Sequence, residues 1–157
     1  MLPQLLSTFE VAVALDEHLP GAISAGKHDW DEWTLEIAPE KIVETCRYLK
    51  NVQKYERLSS VTGVDRYPEE PRFEVVYHLH SVSRNQRLRL KCRLDGRDAA
   101  IDSVTDVWRS ANWYERETFD LFGVHFRNHP DLRRIMLPED WEGHPLRKDY
   151  PVTGTRV

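Results

Sequence analysis

The chain has 157 residues, 22 of them Lys or Arg against 26 Asp or Glu, for a formal net charge of -4; broad nucleic-acid binding shows itself as a basic imbalance and is disfavoured. With 40% hydrophobic and 31% charged residues, the chain reads as one domain with a real core plus an arm, and no run approaches the roughly eighteen apolar residues that a membrane span needs. Its two cysteines, Cys46 and Cys92, lie far apart inside apolar patterns and read as buried, reduced thiols, too few for a protein-held iron–sulfur cluster, which takes about four ligands.

The N-terminus, MLPQLLSTFEVAVALDE, has acids where a signal peptide needs an apolar stretch and lacks a basic leader, so the chain is expected on the cytoplasmic side. Leu2 to about His18 reads as a first helix with Leu5, Leu6, Phe9, Val13 and Leu15 as its apolar stripe, ended by Pro20-Gly21. Residues 22–32 read as a polar link. Trp33 to Ile37 alternates as a strand does, and Pro39 opens a second helix with Ile42, Val43, Cys46 and Leu49 turned inward. A weaker strand covers about Arg57 to Val64. The clearest pattern follows: Phe73, Val75, Tyr77 and Leu79 alternate with Glu74, Val76, His78 and His80, and Leu88, Leu90, Cys92 and Leu94 with Arg87, Arg89, Lys91 and Arg93. If both apolar sets face one core, Leu79 pairs with Leu88, Phe73 with Leu94, Glu74 with Arg93 and His78 with Arg89. The expected fold is α+β: two layers, a small mixed sheet with an antiparallel hairpin, helices packed on one face, and an extended proline-rich C-terminal arm.

The division falls near residue 110, with a small α/β module over 1–109 and a helix plus docking arm over 110–157. Ser110 to Phe122 predicts a helix capped by Gly123. At about 100° per residue, Tyr114, Thr118, Leu121 and Phe122 share one face, while Arg116, Glu117 and Asp120 surround Trp113 on the other, as a charged ridge. Beyond Gly123, Pro130, Pro138, Pro145 and Pro151 exclude a long helix or central strand. Phe126, Leu132, Ile135, Met136, Leu137, Trp141, Leu146 and Tyr150 then need a surface, either their own domain or another subunit. Arg133, Arg134, Arg147 and Lys148 are donors suited to carboxylates at the edge of such a surface.

Chemistry of other kinds has little support. Neither a dinucleotide nor a phosphate-binding glycine motif occurs, nor G-x-S-x-G, nor H-E-x-x-H. His125, His129 and His144 could in principle make a metal site with Asp131 or Glu139, as in a stand-alone metal-dependent enzyme, but two of them precede prolines in a stretch not expected to be helical. The row Arg87, Arg89, Lys91, Arg93 invites a nucleic-acid reading, yet no aromatics are interleaved to stack bases.

The run Glu115-Arg116-Glu117, Asp120-Leu121-Phe122-Gly123, Phe126, His129-Pro130, Leu132-Arg133-Arg134-Ile135, Pro138, Gly143-His144-Pro145-Leu146 and Lys148-Asp149-Tyr150-Pro151 resembles, over about forty residues, the signature of the 30 kDa subunit family of respiratory-chain NADH dehydrogenase, the NADH:quinone oxidoreductase also called complex I. The resemblance implies a non-catalytic scaffold subunit of the peripheral arm, at the cytoplasmic face of the inner membrane. It implies no cofactor in this chain, FMN and iron–sulfur clusters being held by partner subunits. The surface expected to dock on the quinone-site subunit is made of Trp113, Glu115, Arg116, Glu117, Asp120, His129, Pro130, Arg133, Arg134, His144, Pro145, Arg147, Lys148, Asp149 and Tyr150. Many relatives continue past Lys-Asp-Tyr-Pro with a tail, whose contacts are expected to be absent or replaced here. Related modules occur in membrane-bound hydrogenases and formate hydrogenlyase-type complexes, which stand as the alternative.

Overall fold

Alternation on both arms of a hairpin places the apolar side chains of Phe73–Ser81 (β4) and Gln86–Leu94 (β5), Val76 excepted, on one face, and these strands form the centre of the molecule. In the structure, a computed structural model describing residues 2–153, the hairpin has the expected register: Phe73 opposite Leu94, Glu74 opposite Arg93, His78 opposite Arg89 and Leu79 opposite Leu88. Ile23–Asp29 (β1), Glu32–Ile37 (β2) and Arg57–Asp65 (β3) complete a five-stranded sheet in the order β1-β2-β5-β4-β3. Its one parallel pairing, β2 with β5, makes it mixed. Helices Glu10–His18 (α1) and Ile42–Asn51 (α2) cover the apolar face, with Val11, Leu15, Ile42, Cys46 and Leu49 buried together with the strands' side chains. Each such side chain stabilises the fold by about 1.5–3 kcal/mol. Both cysteines are free and buried.

Three local readings change. The first helix is split: Gln4–Thr8 is a 3-10 turn, and extended Phe9 separates it from α1 and stacks on Trp33 with ring centroids 4.7 Å apart. In α2 the inward side chains are Ile42, Thr45, Cys46 and Leu49, with Val43 only partly covered. Residues 23–29 are a strand rather than a link; as an edge strand β1 buries only Ile23, so it lacks the alternation that marks a two-sided strand.

Past β5, Ala100–Asp102 (β6) pairs in parallel with His125–Arg127 (β7). This small sheet seats Phe126 in the core, so the segment after Gly123 starts inside its own domain. Between the two strands Ala111–Phe122 (α3) lies over β3. Ser110 precedes it without capping it; its hydroxyl instead faces the Leu58 carbonyl at 3.4 Å. Gly123, at φ 75°, takes the left-handed conformation that ends a helix.

The close approach of α3 to β3 depends on Gly63, where a Cβ would sit 2.7 Å from the Phe122 ring. Gly63→Ala is therefore expected to push α3 outward and lower the urea midpoint, at a cost of about 1–3 kcal/mol. An unchanged midpoint would show that the helix can give way there.

Candidate docking interface

The last turn of an α-helix leaves carbonyls without intrahelical partners and concentrates partial negative charge there. In α3 the arm supplies what is missing. Leu146 N–H donates to Leu121 O at 3.1 Å, Arg147 Nε to Phe122 O at 2.6 Å and Arg134 to Asp120 O at 3.2 Å. His144 Nδ1 lies 2.9 Å from Asp120 O and, facing a carbonyl, carries the proton.

Asp120 is the fastening point. Fully buried, its Oδ2 accepts three successive backbone N–H groups, those of Ile135 (3.1 Å), Met136 (2.7 Å) and Leu137 (3.0 Å). Its Oδ1 accepts from Arg134 at 2.7 Å, and Arg134 reaches on to Gly143 O at 2.9 Å. Burial alone would raise the carboxyl's pKa; the Arg134 guanidinium and the three N–H groups outweigh it, and the net shift is downward.

A second fastening lies at the end of β3. Asp65 accepts both Arg72 Nε (2.8 Å) and a terminal Arg72 nitrogen (2.9 Å) in the bidentate geometry natural to guanidinium and carboxylate. The same carboxylate accepts Lys148 N–H at 2.8 Å, and Arg72 also binds Asp149 at 2.7 Å. The Arg72 contact holds Asp65 well below the usual carboxylate range, and Asp149 is lowered for the same reason. Lys148-Asp149 is thereby tied to the sheet.

The middle of α3 is held from below. Glu115, fully buried, accepts Ser103 Oγ at 2.6 Å and Val104 N–H at 2.7 Å. Burial pushes its pKa up to about 7, against the pull of those two donors. His129 approaches it to 3.9 Å. That ring accepts Asp131 N–H at Nδ1 and lies 3.1 Å from Asn112 O at Nε2, the pattern of a neutral imidazole protonated at Nε2. Burial also lowers the His129 pKa, so both partners favour their neutral forms and the contact is not an ion pair. Arg116 donates from Nε to Arg133 O at 3.1 Å, with its guanidinium 4.8 Å from the Trp113 ring centroid.

These contacts change the reading of the charged ridge. Tyr114, Thr118 and Phe122 face the domain as expected, with buried Glu115 beside them, while Asp120 and Arg116 lie under the arm. Arg134, His144, Arg147 and Asp149 are engaged within the chain, and His129 supports the turn at Pro130. Tyr150 N–H donates to Arg147 O, closing a turn after Pro145. Left on the outside are Trp113 (61% exposed), Met136 (61%) and Leu146; Lys148 is exposed too, as is Arg133, which pairs with Asp131 at 2.7 Å, and Glu117 is half-buried. Asp65, Arg72 and Ser103 were not singled out from sequence, since nothing local marks them. Among the described residues no three His, Cys, Asp or Glu side chains gather so as to hold a metal ion, and no helix is long and apolar enough to cross a membrane.

The fold is thus a two-layer α+β module whose last helix is laced to its own C-terminal segment, with Trp113, Met136 and Leu146 exposed outside the lacing. The chain is a member of the family described as "Respiratory-chain NADH dehydrogenase, 30 Kd subunit", which residues 35–156 match. The corresponding NADH-quinone oxidoreductase subunit of Geobacter sulfurreducens is 49% identical over 143 residues, spanning 90% of this chain and 88% of that one. The solved trypsin-resistant fragment (1-134) of Nqo5 superposes with a TM-score of 0.64 at 30% identity, over 69% of this chain and 89% of that chain. A chain of the membrane-bound sulfane sulfur reductase, an archaeal respiratory membrane complex, reaches 0.78 at 28% identity, over 91% of this chain and 85% of that one. The chain is thus of a kind that works within hetero-oligomeric respiratory complexes.

Proposed function

We propose that this chain is the 30 kDa-family subunit of a proton-translocating NADH:quinone oxidoreductase, a scaffold without catalytic residues of its own in the peripheral arm, at the cytoplasmic face of the inner membrane. It docks on the quinone-site subunit and adjoins subunits carrying iron–sulfur clusters, while FMN and the clusters reside in those partners. What supports this reading most is how the arm's charges are spent. Arg134, Arg147, Asp120 and Asp149 are consumed in lacing the arm down, which leaves Trp113, Met136 and Leu146 as exposed apolar anchors and Arg133 and Lys148 as exposed cations. Aromatic anchors with a charged rim are what protein interfaces concentrate their energy in.

The test follows from the same geometry. Reversing Arg134 or Arg147 would unlace the arm, so Trp113→Ala with Met136→Ala, or Arg133→Glu with Lys148→Glu, are the informative variants. Each pair is expected to weaken capture of the quinone-site subunit by about tenfold or more, with circular dichroism and melting unchanged. Undiminished capture by both pairs would overturn the proposal.

A further inference from the structure

The sheet face away from the helices carries rows of directly opposed residues running across the strands. In one row Ser60, His78, Arg89 and Thr34 are neighbours on β3, β4, β5 and β2. Its charges are accounted for: Arg89 pairs with Glu32 at 3.2 Å and donates from Nε to His78 at 3.1 Å, whose other ring nitrogen lies 2.9 Å from Ser60 Oγ. At the far end of the face, buried Glu74 draws Arg66 (3.3 Å), Arg93 (3.5 Å) and Lys91 (3.8 Å) around it. The remaining row, Arg57 opposite His80 opposite Arg87, has no such compensation among the described residues. The carboxylate within its reach is Glu32, 3.8 Å from Arg87 and already closer to Arg89. Two guanidinium groups thus flank His80 from the neighbouring strands with no carboxylate opposed to either.

Beside that row opens a groove of about 470 Å³, lined by Arg57, Ser59, Ser60, His80, Arg87 and Arg89 among others. The register of β3 shifts between Leu58 and Ser60, a bulge that turns Ser59 into the groove's wall. An adjoining groove shares Arg87 and Glu32 and carries Trp30, which is 98% exposed.

We infer that this groove is a second docking site, which receives an acidic segment of a partner polypeptide whose carboxylates close the Arg57–His80–Arg87 row. The inference rests on the reading of the chain as part of a larger assembly, but concerns a surface separate from the arm. Guanidinium forks match carboxylates, the serine hydroxyls can donate to the same oxygens, and Trp30 alongside Arg is the composition of an interface hot spot. A nucleic acid is the poorer occupant: among the described residues the groove's own lining holds no Phe, Tyr or Trp to stack a base, and the chain's net charge is -4.

The experiment places a photo-crosslinking amino acid at Ser59, or separately at Met136, in the full chain assembled in its native complex, and identifies the captured segments by mass spectrometry. The Ser59 position is expected to capture a segment with clustered Asp or Glu. Arg57→Glu with Arg87→Glu is expected to reduce that capture at least about tenfold, with the Met136 capture retained. Reversing the captured segment's acids should restore it. Capture of nucleic acid, of a carboxylate-poor segment, or of nothing at Ser59 while Met136 still captures its partner, overturns the second site alone. Loss at both positions in the unaltered chain overturns the assembly reading and this inference with it.

Discussion

Replacing Asp120 with Asn is expected to release the segment from about residue 130 to 152 while the five-stranded sheet stays folded. The carboxylate is the acceptor for three consecutive backbone N–H groups and for Arg134. An amide offers one oxygen, so its NH2 must face donors on one side or the other. Removing one partner of a buried ionic cluster costs about 3–5 kcal/mol, more than short irregular chain recovers elsewhere. Hydrogen exchange at Ile135, Met136 and Leu137 should approach that of an unprotected chain, with β4 and β5 amides unchanged; wild-type protection in the variant would contradict the lacing. The pH dependence has a definite sign. Asp120 and Asp65 both have depressed folded pKa values, so their contribution is complete above the ordinary carboxylate range, about pH 4, and is lost as pH falls through the lower folded values. The arm should therefore stay fastened in mild acid and loosen only well below about pH 4.

Glu115 gives a slope of the opposite sign. Its folded pKa is raised to about 7 from 4.5, so between those values the native state binds more protons than the unfolded chain. Stability then falls as pH rises through that window, by about 3 kcal/mol in total, and levels off above it. Glu115→Gln keeps a side-chain oxygen for Val104 N–H and puts an amide donor beside Ser103 Oγ. The variant is expected to match the wild type near pH 4.5 and to exceed it by about that amount at pH 8, measured by urea denaturation across pH. Parallel curves for the two proteins would mean that Glu115 ionises freely in the fold.

How much of this was legible before the structure depends on what each element uses to hold itself. The β4–β5 register could be read to the residue because alternation runs along both strands, interrupted only at Val76 in β4, and a one-residue slip would expose every Leu. Gly123 marked the end of α3 because a left-handed residue was needed there. By contrast, β6 and β7 are three residues each and pair in parallel across the whole of α3, a length too short for periodicity to register. The face of α3 with Tyr114, Thr118 and Phe122 does turn inward, but the charged ridge is not a solvated one, for a physical reason: Glu115 is buried and Arg116 and Asp120 are covered by the arm, each bonded to backbone groups that hydrophobic patterning ignores. Asp65 and Arg72 escaped notice because their partners, Lys148 and Asp149, lie some eighty positions away. The sequence did show that the arm's side chains need a surface. That the surface is largely the chain's own domain follows only from the contacts.

The most direct measurement is hydrogen exchange on the chain alone and in its complex. Ile135, Met136 and Leu137 amides are expected to be protected already in the isolated chain, with protection spreading to the segment around Trp113 only on assembly. Free exchange at those three amides until a partner is added would show that the lacing belongs to the complex and not to this polypeptide.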